Sequence, residues 1–319
     1  MSFSEVPLYF VLVFSYFLKR IFTLIPILFV IVTVVFFLLR LVPGDPIDFI
    51  LGEDSLPETR QALQMAHHFD RPLWEQYGLY LKNISQGNLG QSYFSAKPVN
   101  EELFKRYVAT LELGFVAILW AMFLSLPLGI LAAVKEKTFL DKSILTGTLF
   151  GISVPSFYLG PLLALVFAVW LDVLPISGRE LPGSIILPSL TLGLAMAALL
   201  TRFTRASLLE VLHKDYVRTA HAKGLSPFVV IVKHAFRTAL IPIIAILGLQ
   251  LGVLLTGAVV TEKIFSWPGL GSLLLESISR RDYALVQGCV LLIAATYVVV
   301  NLLTDIVYAL ADPRFRLVK

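Results

Sequence analysis

The sequence predicts an all-α, polytopic membrane protein built as a six-helix transmembrane bundle. Its 319 residues are 57% apolar and only 15% charged, against roughly 45–50% apolar and ~25% charged in soluble domains. The charges gather between six uncharged runs, 21–39, 113–134, 143–171, 181–201, 238–261 and 283–304, of 19, 22, 29, 21, 24 and 22 residues. A spanning helix needs about 20 residues. The runs lack the alternation of barrel strands, and in hydrocarbon only helices and closed barrels satisfy every backbone group.

Taken in order, residues 6–18 form a shorter uncharged stretch of 13 residues behind the head MSFSE, which lacks the positive start of a secretory signal. The stretch is read as retained, either lying along the membrane surface or prolonging the first helix inward. Residues 1–20 are thus a cytoplasmic or interfacial segment and 21–42 the first transmembrane helix. Residues 43–106 hold six basic against nine acidic side chains and read as an external loop domain. Within it, Leu63 and Ala66, then Leu73, Tyr77, Tyr80 and Leu81, recur at helical spacing and predict two short amphipathic helices. The remainder, 107–319, is a five-helix core.

Orientation follows from Lys and Arg. Lys19 and Arg20 precede the first run, Lys135, Lys137 and Lys142 follow the second, and seven basic residues fill 202–237 after the fourth. Cytoplasmic connections carry such an excess, so both termini are placed inside. Arg40, Glu112, Arg202 and Asp305 all fall near run ends, and the deepest polar groups are the neutral Gln250, Thr256 and Asn301. An ion-coupled carrier usually keeps ionisable groups at mid-depth. Small residues recur at helical spacing along Ala245, Gly248, Gly252 and Thr256, and again along Gly193, Ala197 and Thr201. Such stripes let helices approach closely, whether as packing or beside a translocation path, and Gly248, Gln250, Gly252, Thr256 and Asn301 are the candidates for either.

No H-E-x-x-H, G-x-S-x-G or phosphate-loop motif occurs. The lone thiol, Cys289, lies inside an apolar run, and His213, His221 and His234 sit together between the fourth and fifth runs. Neither arrangement builds a metal shell along the spans. The expectation is a chain with no catalytic, cofactor or metal site and no nucleic-acid partner, bounded by membrane lipid.

The segment 205–238 is too long for a tight connection and too patterned for a linker. Glu210 to Lys223 reads as a helix, Gly224 as its left-handed cap, and Ser226 with Pro227 as the N-cap and first turn of a second helix. The hairpin leaves Leu225, Phe228, Val229 and Ile231 in a basic surround. It reads as a docking site for a partner, with a hairpin packed on lipid headgroups as the alternative.

DYVRTAHAKGL (Asp215 to Leu225) followed by HAFRTALIP (His234 to Pro242) closely resembles the coupling-loop motif of membrane permeases in ATP-binding-cassette importers of the dipeptide, oligopeptide and nickel group. LRLVPGDP (Leu39 to Pro46), TLELG (Thr110 to Gly114), TEKIFSWPGLGSLL (Thr261 to Leu274) and RDYALVQG (Arg281 to Gly288) extend the resemblance in family order. Arg218, Thr219 and Ala220 stand where importers at large carry Glu-Ala-Ala, as in the peptide branch.

The resemblance implies a multi-pass subunit of the bacterial cytoplasmic membrane working with a second homologous permease, two cytoplasmic ATPases that hold ATP and Mg, and an external solute-binding protein. It assigns Asp215, Tyr216, Arg218, Thr219, Ala220, Ala222, Lys223, Gly224, Leu225, Ser226, Pro227 and Phe228 to the ATPase-coupling loop. Di- or oligopeptides are the expected cargo, with nickel or another small solute as the alternative. A non-transporting membrane scaffold that docks a soluble partner is the reading from another class, and an ion-driven carrier ranks behind it.

The orientation predicts a labelling pattern. Cysteines placed in 46–106 or 266–280 should react with a membrane-impermeant thiol reagent in intact cells, and Ser226→Cys only after permeabilisation. Labelling of Ser226→Cys in intact cells would reverse the assignment.

Overall fold

The computed structural model describes the backbone of residues 6–42, 47, 51 and 56–311, and the side chains of 22–42, 47, 51, 56–254 and 258–308. Twelve helices are used below: α1 (Val6–Leu41), α2 (Pro57–Ala66), α3 (Leu73–Ser85), α4 (Val99–Val134), α5 (Phe139–Ser153), α6 (Ser156–Ala164), α7 (Ile186–Leu212), α8 (Asp215–Ala222), α9 (Pro227–Val229), α10 (Arg237–Ile264), α11 (Leu270–Ser279) and α12 (Tyr283–Ala311). Five stretches are long and apolar enough to span a membrane, and the bent pair α5 and α6 makes a sixth. The stretch 6–18 is the start of α1, so the first helix is prolonged rather than preceded by a separate one. The expected exit motif ends in residues 43–46, which lie outside the described residues.

The chain divides into two compact units. The larger comprises Met1–Phe22, Leu111–Trp267 and Tyr297–Lys319, the smaller Thr23–Thr110 and Pro268–Thr296.

In the larger unit α7 is the central element, packing against α10, α5 and α6. Its buried face runs from Leu187 through Gly193, Ala197 and Thr201 to Leu208 and Val211. The small residues set the spacing: a Cβ on Gly193 would lie 2.7 Å from Trp120 Cβ and 2.8 Å from the Ala117 carbonyl oxygen of α4. One expectation needs correction here. The 29-residue run 143–171 is two helices meeting at 101°, not one continuous helix. Val154 precedes Pro155 and is extended at φ −85°, ψ 115°, because the proline ring clashes with a helical predecessor. Beyond the bend, α6 passes into a π-helical segment, Leu165–Trp170.

A second correction concerns Glu210 to Lys223, which is broken at Lys214 (φ −77°, ψ 147°). At about 100° per residue an unbroken helix would put Val217 about 180° from Leu208. The break re-phases the chain, so that Val217 and Ala220 share one core with Leu208, Val211, Val230, Ala235 and Ala239.

In the smaller unit α3 lies on α1 through side chains at helical spacing. Thr33 Oγ1 and Tyr77 Oη are 2.6 Å apart, the Phe36 ring lies 5.1 Å from Tyr77 and 5.3 Å from Tyr80, and Arg40 Nε donates to Gln76 Oε1 at 3.1 Å. The two amphipathic helices of the sequence reading are α2 and α3, and Tyr77, Tyr80, Leu81 and Leu63 are half-buried. Ala66 and Leu73 are exposed instead; on α3 the buried place is taken by the polar Gln76, the partner of Arg40. A second core joins Val99, Leu103, Leu270, Leu273, Leu285 and Cys289. Asp282 caps α12 by accepting from the Leu285 backbone N–H at 3.1 Å, and Thr110 Oγ1 accepts the Leu270 N–H at 2.7 Å.

Close packing on α7 is testable with two glycines. Gly193→Ala should destabilise the purified protein by about 1–3 kcal/mol, the usual range for overpacking. Gly147→Ala, where an added Cβ meets nothing within 4 Å, should be neutral or gain up to about 1 kcal/mol from helix propensity. Thermal unfolding in detergent separates the two, and equal effects would refute the close approach.

Candidate functional site

The feature most unlike a plain bundle is the hairpin that follows α7. Its first arm, α8, opens on Asp215 in the first turn, where a negative charge suits the helix dipole, and Thr219 Oγ1 donates to the Asp215 carbonyl at 3.0 Å. Val217 and Ala220 face the core, while Tyr216, Arg218, Thr219, Ala222 and Lys223 are exposed. The arm is pinned to the chain beyond it, because Tyr216 Oη donates to Thr238 Oγ1 at 3.1 Å.

Gly224 holds the turn at φ +76°, and its N–H donates to the His221 carbonyl at 2.9 Å. That backbone region is open to glycine and strained for a branched side chain. Leu225 follows, then Ser226 in extended conformation before Pro227, which opens α9. Ser226 provides the N-cap geometry without a side-chain cap hydrogen bond. The second arm continues as a π-helical segment, Val230–Phe236, into α10, with Val230 and Ala235 buried.

The result is a short projection with a buried apolar base and an exposed apolar tip. Leu225 is 38% exposed, Phe228 74% and Val232 43%. Around them stand Arg218, Lys223, Lys233 and Arg237, all exposed. Two local pairs, Lys214 with Glu210 at 3.3 Å and Arg218 with Asp215 at 3.6 Å, lie on its flank.

Two ion pairs escaped the sequence reading. Arg205, about two turns before the end of α7, grips Asp141 at the start of α5 with both arms: Nε to Oδ1 at 2.6 Å and Nη2 to Oδ2 at 2.7 Å. Asp141 Oδ2 also accepts the Lys137 N–H at 2.9 Å, which holds Lys137 at φ +63°. The only sequence signal was Thr138 three residues before Asp141, an N-cap spacing, and Thr138 Oγ1 does accept the Asp141 N–H at 3.4 Å. Glu112 likewise pairs with Arg179, at 3.0 Å to its Nε.

Of the residues proposed for a path or for packing, Gly248 lies against Thr304 and Gly252 against Tyr297, where a Cβ would collide in each case. Asn301 Nδ2 donates to the Tyr297 carbonyl of its own helix at 3.0 Å, Gln250 is half-buried, and the Thr256 side chain lies outside the described residues. Among the described residues no three His, Cys, Asp or Glu side chains gather as a metal site.

Apolar helices of spanning length, one of them followed by a core-anchored hairpin with a basic rim, define a helical membrane protein. The chain belongs to the inner membrane components of binding-protein-dependent transport systems, whose family model matches residues 125–317, with the companion N-terminal model matching 13–114. It is 42% identical over 302 residues to the glutathione transport system permease protein GsiC of Escherichia coli (strain K12), covering 95% of this chain and 99% of the relative. To GsiC of Shigella boydii serotype 4 (strain Sb227) it is 41% identical over the same length. In fold it is similar to a solved structure of the MetNI methionine ABC transporter in an inward-facing conformation, at a TM-score of 0.55 and 18% identity, covering 66% of this chain and 96% of that one. The chain is therefore an importer permease subunit, a multi-pass inner-membrane protein and not an enzyme. Family membership implies a solute-binding protein and separate ATPase subunits as partners.

Breaking the Asp141 contact should be costly. Asp141→Ala leaves the Arg205 guanidinium partly buried without its carboxylate, and a loss on the order of 2–3 kcal/mol is expected. Arg205→Lys should lose part of that, since an ammonium cannot make the two-armed bond. A melting temperature unchanged in both variants would show that the pair does not hold α5 to α7.

Proposed function

We propose that this chain forms half of the translocation path of a peptide importer and that the hairpin 205–238 receives the stroke of the ATPases. The other half is a second homologous permease, two cytoplasmic ATPases hold the ATP and Mg, and an external binding protein delivers the cargo. The observation that carries this reading is the Gly224 turn between two arms rooted in one core. A displacement of Leu225 and Phe228 by a docked partner is passed to α7 and α10 because Val217, Ala220, Val230 and Ala235 pack with Leu208 and Ala239 of those helices. The basic rim of Arg218, Lys223, Lys233 and Arg237 suits both the cytoplasmic side of a membrane and an acidic partner groove. Peptide-sized cargo is supported by the relatives named for glutathione, itself a tripeptide, at 42% identity.

The hinge supplies the test. Gly224→Val strains a backbone held at φ +76° by about 1–3 kcal/mol, while the spans are untouched. The variant should insert and assemble, yet lose peptide uptake and binding-protein-stimulated ATPase activity in proteoliposomes of the whole complex. Gly224→Ala should be milder and Lys223→Ala milder still. Wild-type rates in an assembled Gly224→Val complex would remove the hairpin as the lever.

A further inference from the structure

Within the smaller unit lies a cavity of about 760 Å³, inside the range of about 300–1,000 Å³ usual for small-molecule sites. Amide and hydroxyl side chains, among them Asn83, Asn88, Gln91 and Ser92, share its wall with Arg40, and among the described residues no Asp, Glu or Lys lines it.

Among the described residues, Arg40 is fixed by neutral partners. Its Nε donates to Gln76 Oε1 at 3.1 Å, its Nη1 to the Phe36 carbonyl at 3.2 Å, and its guanidinium carbon sits 3.5 Å above the Phe36 ring. None of these partners carries a negative charge. The carboxylate beneath the wall, Asp282, is committed elsewhere: Oδ2 accepts from Ser92 Oγ at 2.6 Å and from the Tyr93 N–H at 3.0 Å, and Oδ1 caps α12. Burial pushes the Tyr80 and Tyr93 phenols above their ordinary range and the His67 imidazole below its own, so these wall groups stay neutral near pH 7.

A second donor waits in the same wall. Gln287 is 7% exposed, and its Nε2 has no hydrogen-bond partner among the described residues. A buried donor left unmade is unfavourable, and a half-buried cation without a counter-charge is more so. Both deficits call for an acceptor with one negative charge and two oxygens.

We infer that this cavity binds a small carboxylate-bearing solute, its carboxylate taking the free donors of Arg40 and Gln287. The described lining shares no residue with the coupling hairpin, and occupancy requires neither ATPases nor binding protein. Failure of this inference therefore leaves the uptake reading standing, and failed uptake leaves binding measurable.

The experiment is titration calorimetry on the full chain in lipid nanodiscs, with trialanine, trialanine C-terminal amide and inorganic phosphate as probes. Trialanine should bind saturably. Its amide, and trialanine against Arg40→Gln or Gln287→Leu, should each bind about tenfold more weakly or worse, the loss expected of a hydrogen bond to a charged group. Arg40→Lys should keep a preference for the acid over the amide, and phosphate should not compete. If Arg40→Gln does not fold, Gln287→Leu, which leaves the Arg40 partners in place, still decides. Equal affinity for acid and amide, unaltered binding in Gln287→Leu, competition by phosphate or no saturable binding would each overturn the inference.

Discussion

Lipid as solvent is the constraint on which the larger unit depends. Hydrocarbon tails are as apolar as leucine, so burial of apolar area gives little drive for helices to associate, and close backbone approach must supply it. The consequence is concentrated on α7. In its most apolar window 61% of residues are buried, against 28% in α4 and 11% in α12. Gly193, Ala197 and Thr201 keep the buried face thin enough for α4 to reach the α7 backbone.

That same helix carries its position out of the apolar zone. Past Thr201 the small-residue seam gives way to the Arg205–Asp141 pair, where a planar guanidinium meets a carboxylate in a two-armed bond. Directional contacts of this kind fix orientation as well as distance, so the start of α5 and the end of α7 share one frame. The hairpin then continues from α7 with its base inside the apolar core and its apolar tip in the open. A proposed lever needs that combination: a rigid root, a tip with something to bind, and a single backbone hinge at Gly224 between the arms.

The smaller unit solves a different problem. Arg40 stands at the end of the α1 apolar run and is partly withdrawn from water, and its partners among the described residues are an aromatic face, an amide and a carbonyl. This places Tyr77 and Tyr80 over Phe36 and sets the pose of α3. It also leaves a guanidinium on a cavity wall whose described residues carry no carboxylate, the property from which a ligand class can be argued.

The sequence by itself determined what depends on neighbours along the chain. The lengths of the uncharged runs marked the spans, the Gly224 and Ser226–Pro227 signals located the hairpin turn, and the period of Tyr77, Tyr80 and Leu81 gave α3, because cap chemistry, backbone sterics and helical period are local. Tertiary structure alone decided the break at Lys214, which is needed only because Val217 and Ala220 must share a core with Leu208. It also decided the partners of Arg205 and Glu112, the exposure of Leu73, and the gathering of Arg40 and Gln287 on one cavity wall. The bend at Val154 lies between the two cases: Pro155 was visible as a break, yet its 101° angle is set by how α5 and α6 each pack on α7. Those features depend on which faces meet, and residues 64 positions apart, as Asp141 and Arg205 are, carry no local signal of their pairing because its energy exists only once the helices have docked.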